Sequence, residues 1–417
     1  MSSTEPSTLL GLIQRGRGAC FVAALTQPAP ARDLVVDCII RDPRWDHQVE
    51  QCDWLYAALV AELGIEPARL RAAYAGPVDV GGDAEAWLAT GVFAQLARRG
   101  IPGAVIELRH YLRSGRDLDQ ALAHVLPFAG HPEADGLLDD VLEVADDTQL
   151  TCALGWDHDL TASPWLQWRQ ASPRIERIVR AVARNRRPHG LSAPERRAER
   201  ESAERECVLR AAIEARLISG PTEWEPTLLA IATDLLQAQD FPLPVRHATR
   251  RCLARLSSPR ALAWARANAD LDGDAGAAAI SLIAEFAEPA DGPRLCDLLK
   301  DALAQGNIYA QCDLVDGLAR LGHVAAVGII DEIFDGAVYS YLRTRCAAAS
   351  ALLSPDFAEH PAIECLDDCE SETRALGVTH ASDRMPMVRE RIRGMAEDVT
   401  EEDCNRRTAS ARIAQWC

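Results

Sequence analysis

From Val245 onward one arrangement of apolar and polar positions keeps returning along the chain. VRHATRRCLARL from Val245, AGAAAISLIAEF from Ala275, AQCDLVDGLARL from Ala310, LRTRCAAASALL from Leu342 and TRALGVTHAS from Thr373 all place apolar residues at helical spacing, and their starts lie 30, 35, 32 and 31 residues apart. Between them run shorter amphipathic segments, PRALAWARANA, DGPRLCDLLKDAL, AAVGIIDEIF and HPAIECLDDCE. Pro259, Pro289, Pro293 and Pro361 fall near the starts of these segments, where a missing amide does least harm. A single helical hairpin cannot cover its own apolar stripe, so neighbours must stack. The pattern predicts an all-α chain, an α-solenoid of stacked antiparallel hairpins.

The first half shows the same grammar less regularly. PAPARDLVVDCIIRDP with RWDHQVEQCDWLYAALVAEL, DAEAWLATGVFAQLARRG with IPGAVIELRHYLRSG, and DLDQALAHVLPFAG with HPEADGLLDDVLEVADD read as three hairpins. In residues 41–60, RDPRWDHQVEQCDWLYAALV, a helical wheel starting at Trp45 gathers Trp45, Val49, Cys52, Tyr56, Leu59, Val60 and Leu63 on one stripe, with Asp42-Pro43 as the cap. That phasing leaves His47, Glu50 and Trp54 together on the opposite face as candidate contacts. From residue 184 the composition turns to RNRRPHGLSAPERRAERESAERE, which reads as a break followed by a solvated connecting helix. The expected organisation is therefore a divergent hairpin domain over 1–190, a charged connecting helix over 191–220 and a repeat domain over 221–417.

FPLPVRHATRRCLARL, GAVYSYLRTRCAAASALL and DCESETRALGVTHASD resemble the second helices of HEAT-repeat proteins, especially the short HEAT-like arrays of bacteria. In each, a valine, leucine or threonine is followed by arginine and an alanine-rich helix. Gly276 and Gln311 stand where that arginine would be in two of the five units, so an arginine ladder is incomplete. The resemblance implies a long concave surface lined by second helices that holds a peptide, a helix or a folded partner. Arg246, Tyr309, Arg343 and Arg374 sit near equivalent points of successive repeats and are the candidate contacts it nominates.

Composition narrows the partners. At 417 residues the chain exceeds one ordinary core, and 48% apolar content with only 5% aromatics suits helices better than sheets. A formal charge of -18 repels phosphate, which argues against nonspecific nucleic-acid or anionic-membrane binding. Lys300 is the single lysine, a bias that reads as a GC-rich genome. Thirteen scattered cysteines without a disulfide spacing, and an amino-terminal MSSTEPSTLLGLIQRGRGACF without a leader pattern, point to a cytoplasmic protein with reduced thiols.

Three stretches offer candidate chemistry. RIERIVRAVARNRR lines up Arg174, Arg177, Arg180, Arg184 and Arg187 on one helical face, suited to an anionic or acidic partner or to pairing with the protein's own acids. GWDHDLTASPWLQWRQ, with Trp156, Asp157, His158, Asp159, Trp165, Trp168 and Arg169, is similar in residue types to the solenoid DNA glycosylases that remove alkylated bases, although no linear motif matches. Cys365 and Cys369, with His380 beyond them, have a spacing that packing explains more simply than metal binding. The histidine-glutamate dipeptides of HEAT-type iron hydroxylases are absent, as are GxGxxG, GxSxG, HExxH and a Walker A loop. The expectation is a protein without catalytic residues, metal or cofactor. It would bind another protein, one that offers basic or mixed-charge segments; a glycosylase-like solenoid is the second reading.

Overall fold

The computed structural model describes residues 4–75, 84–114, 116–155, 159–185, 193–220, 223–238 and 240–416. Among them the regular structure is all-α, with 25 α-helices and six short 3-10 turns and no strand. No described helix is long and apolar enough to cross a membrane. The chain forms two compact units, one of Met1–Pro188, Gly336–Ala347 and Asp356–Cys417, the other of His189–Asp335 and Ala348–Pro355. These units cut the chain differently from the expected 1–190, 191–220 and 221–417, because residues 356–417 fold with the amino-terminal segment.

In the second unit, helices Leu243–Leu253, Gly273–Phe286 and Ile308–Arg320 carry three of the recurring segments, and each packs on the next. Helices Trp224–Gln237, Pro259–Asn268 and Gly292–Ala304 precede them as hairpin partners. Val245, Ala275 and Ala310 are all buried, so the repeat places the same position inward each time. The position after it explains the gaps in the arginine ladder. Arg246 reaches forward to Asp274, its Nε 2.6 Å from the carboxylate. At Gly276 a Cβ would lie 1.6 Å from the Leu271 carbonyl oxygen, so no side chain fits. Gln311 is buried and turns back into its own hairpin, its Nε2 donating to the Ala302 carbonyl at 3.1 Å. Arg266 forks onto Asp291 at 2.9 and 2.8 Å, and Arg320 donates to the Ala284 carbonyl at 2.8 Å, so other arginines also tie one hairpin to its neighbour. Ser258 and Asn307 cap their helices by accepting from Ala261 and Ala310 amides.

In the first unit two of the predicted hairpins appear, Pro28–Arg41 with Asp53–Glu62 and Ala84–Arg98 with Ala104–Arg113, whereas Leu118–Val125 and Leu137–Val144, expected to pair with each other, both pack chiefly on Ala104–Arg113. Leu55, Tyr56, Leu59, Phe93, Leu96 and Leu108 form its core, and the Tyr56 hydroxyl donates to the Ile13 carbonyl at 2.9 Å. The expected helix from Trp45 does not form. Asp42 closes the preceding helix at φ 41, in the left-handed region, and the next helix starts only at Asp53. Trp45 and Val49 are consequently 41% and 45% exposed, whereas Glu50 and Trp54, expected on the solvated face, are buried. Helices Ser371–His380, Pro386–Glu397 and Asp403–Ala414 complete the unit. The last two form a further hairpin that the repeat pattern did not announce. Its second helix buries only Asn405 and Ala409, too few apolar positions to show a stripe.

Candidate functional site

Four of the residues nominated from the sequence, Glu50, Trp54, Arg343 and Arg374, lie in the interior of the first unit. The Trp54 ring has the Arg374 guanidinium 3.9 Å from its centroid, with Arg99 at 5.6 Å and Arg391 at 5.7 Å. Arg374 forks onto Glu401 at 2.7 and 2.9 Å and donates through Nη1 to the carbonyls of Asp368 and Cys369. Arg343 is fully buried; its Nε and Nη2 donate to Asp368 at 2.7 and 3.1 Å, and Nη2 also reaches the Gly16 carbonyl at 3.3 Å. Glu50 accepts from the amides of Asp46 and Ser340 at 2.7 and 2.8 Å. Glu370 accepts from the Ser340 hydroxyl and the Gln51 amide, and burial pushes its carboxyl above the ordinary value. Burial likewise pushes Asp367 up, although Arg391 stands beside it.

Glu50, Trp54, Arg343 and Arg374 are thus corrected from surface contacts to internal ones. Asp368 and Glu401 neutralise the two arginines, Glu50 is held by backbone amides, and the arrangement ties Arg343 and residues 368–401 to residues 16–99 of the same unit. His47 is half-buried, its Nδ1 3.0 Å from Asp42, which Arg44 also holds.

Nearby thiols are closed off as well. Cys365 and Cys369 are fully buried, and burial raises both far above their ordinary range. His380 packs its ring against Phe357, with centroids 5.8 Å apart. Among the described residues no group of histidine, cysteine and carboxylate side chains converges as metal ligands would.

The arginine stripe is exposed but engaged. Arg174 and Arg177 share Asp147 at 2.6 and 3.2 Å, Arg180 takes Glu176 at 2.5 Å, and Arg184 donates to the Arg180 carbonyl. The hydrogen bond from Arg174 is the main reason that Asp147 is held below the ordinary carboxylate range. Arg187 lies outside the described residues, as do Trp156, Asp157 and His158. Trp165 and Trp168 are buried edge to face, 5.1 Å between centroids, and Arg169 pairs with Glu176. Asp159 accepts from the Thr161 amide at 2.9 Å.

The second unit carries an open groove that sequence reasoning missed. His247, Arg250, Arg251 and Ala254 from one recurring helix face Ala278 and Ser281 from the next, around a space of about 350 Å³. Arg246, a nominated contact, lies beside it and is engaged by Asp274. Tyr309, also nominated, is 63% exposed at the start of helix Ile308–Arg320. The signal was present in RHATRR: positions 247, 250 and 251 have the three- and four-residue spacing that places basic side chains on one helical face.

Comparison of the chain with models of protein families, with curated proteins and with solved structures found no match in any of the three.

Proposed function

We propose that the chain is a non-catalytic, cytoplasmic protein-binding adaptor or scaffold, built as a HEAT-like α-solenoid whose second helices present the working face. The observation that carries this reading is an arginine-to-acid linkage that three of the five recurring segments share. Arg246 reaches Asp274, Arg343 reaches Asp368 and Arg374 reaches Glu401, each from the second position of a recurring segment to an acid that opens the next. Helices locked in this manner turn the same side inward, and Ala275 and Ala310, in the two segments without the arginine, are buried at the equivalent position, so the opposite side of each second helix is left for a partner. His247, Arg250, Arg251 and Tyr309 occupy such positions, at or beside the second helices of the second unit.

The test is affinity capture from the native host with the wild-type chain and with Tyr309→Ala. A protein retained by the wild type and lost with the variant, whose circular dichroism is unchanged, supports the reading. Failure to retain any protein above the level of an unrelated acidic bait removes it.

A further inference from the structure

We propose that the groove between helices Leu243–Leu253 and Gly273–Phe286 receives a carboxylate side chain from an acidic peptide segment of a partner protein. The inference rests on the adaptor reading and gives it a partner chemistry. The groove is lined by His247, Arg250, Arg251, Ala254, Ala278 and Ser281, three basic side chains and no acid, in a protein whose formal charge is -18. Its arginines are incompletely satisfied from within. Glu204 serves both Arg251 at 2.7 Å and Arg255 at 2.8 Å. Asp274 is taken by Arg246, and Arg250 stands 3.5 Å from the same carboxylate, beyond the length of a good charge-assisted hydrogen bond. His247 makes no side-chain hydrogen bond among the described residues and is exposed. Arg250 therefore has donors to spare, beside a histidine and a second arginine.

The shape favours a side chain over a bare ion. Ala254 and Ala278 are small apolar walls, and about 350 Å³ admits the methylene stem of a glutamate as well as its carboxylate. The surroundings favour a peptide over a nucleic acid. Glu204 and Asp274 lie against the arginines, and Asp313 takes the hydroxyl hydrogen of Ser281. A strand with a phosphate at every step would meet these acids as soon as it left the groove, whereas a peptide can place one carboxylate inside and neutral residues beside it.

The experiment is fluorescence anisotropy with the full chain and three probes: a labelled peptide of alternating glutamate and leucine, its glutamine counterpart, and a single-stranded oligodeoxythymidine. We expect binding of the glutamate peptide only, weakened about tenfold or more by Arg250→Glu, since the substitution removes a charge-assisted donor and puts a repelling carboxylate in its place. Ala254→Trp, which fills the groove without altering charge, should weaken it as well. Arg177→Glu should not. Equal loss with Arg177→Glu, preference for the oligonucleotide, or unchanged binding in both groove variants would each overturn the proposal. If a captured native partner binds Arg250→Glu and Ala254→Trp as tightly as the wild type, the groove assignment fails while the adaptor reading stands.

Discussion

The guanidinium of Arg374 lies 3.9 Å over the ring of Trp54 while its Nε and Nη2 grip Glu401. One side chain thus joins the helix at Asp53–Glu62 to two hairpins more than three hundred positions later in the sequence. Trp54→Ala removes a buried indole and leaves a cavity, with an expected cost of about 3–5 kcal/mol. Arg374→Ala leaves Glu401 charged and unpaired in the interior, at a similar cost of about 3–5 kcal/mol. Because the two residues touch, the double variant should lose less than the sum of the single losses, which urea unfolding of all four proteins will read. Strict additivity would mean that the stacking contributes nothing.

Arg343 and Asp368 form an ion pair with neither side chain exposed. Breaking it from one side with Arg343→Met should destabilise by about 3–5 kcal/mol, since the carboxylate then stays buried without its partner. Replacing both, with Arg343→Met and Asp368→Leu, should recover part of that loss. Thermal melts of the three variants decide the matter, and a double variant worse than Arg343→Met would contradict it.

Glu107 supplies a pH dependence with a definite sign. Burial alone would raise its carboxyl, but hydrogen bonds from Arg71 and Tyr74 outweigh burial and hold it below the ordinary value. A carboxyl lowered by folding contributes its full stabilisation above the unfolded-state value, near about 4.3, and loses it as pH falls through the folded value. The melting temperature should therefore drop as the solution is acidified below about pH 4.3, and less steeply in Glu107→Gln than in the wild type. Parallel curves would show that another group carries the acid sensitivity.

Surface changes offer the contrast. Val49 is 45% exposed, so Val49→Asp should shift stability by less than about 0.5 kcal/mol. Arg177 and Arg180 have side chains 68% and 71% exposed, and the pair Arg177→Glu, Arg180→Glu should fold with native circular dichroism. A sharply lower melting temperature in either protein would place those side chains inside.

All five recurring segments begin inside helices, because alanine and leucine at helical spacing allow one burial pattern. What the linear pattern hid was competition from side chains and distance along the chain. In residues 42–50, Asp42, Arg44, Asp46, His47 and Glu50 bond to one another and to nearby backbone groups, and these contacts displace the helix that the wheel suggested. The burial of Trp54 depends on arginines at positions 99, 374 and 391, which no local window contains. The groove went unnoticed for a different reason: its walls are contributed by two helices, and RHATRR shows only one of them.

The discontinuity of the first unit sets an order of events during translation. Residues 1–188 emerge first, Arg99 among them, yet Trp54 meets Arg374 and the Gly16 carbonyl meets Arg343 only after residues 343–374 have been made. The stretch 189–335 can settle while that wait continues, since domains gain structure as units as they leave the ribosome. The earliest helices are thus the last to be completed. A ribosome stalled at residue 335 would carry an amino-terminal segment whose Trp54 still lacks Arg374 and Arg391.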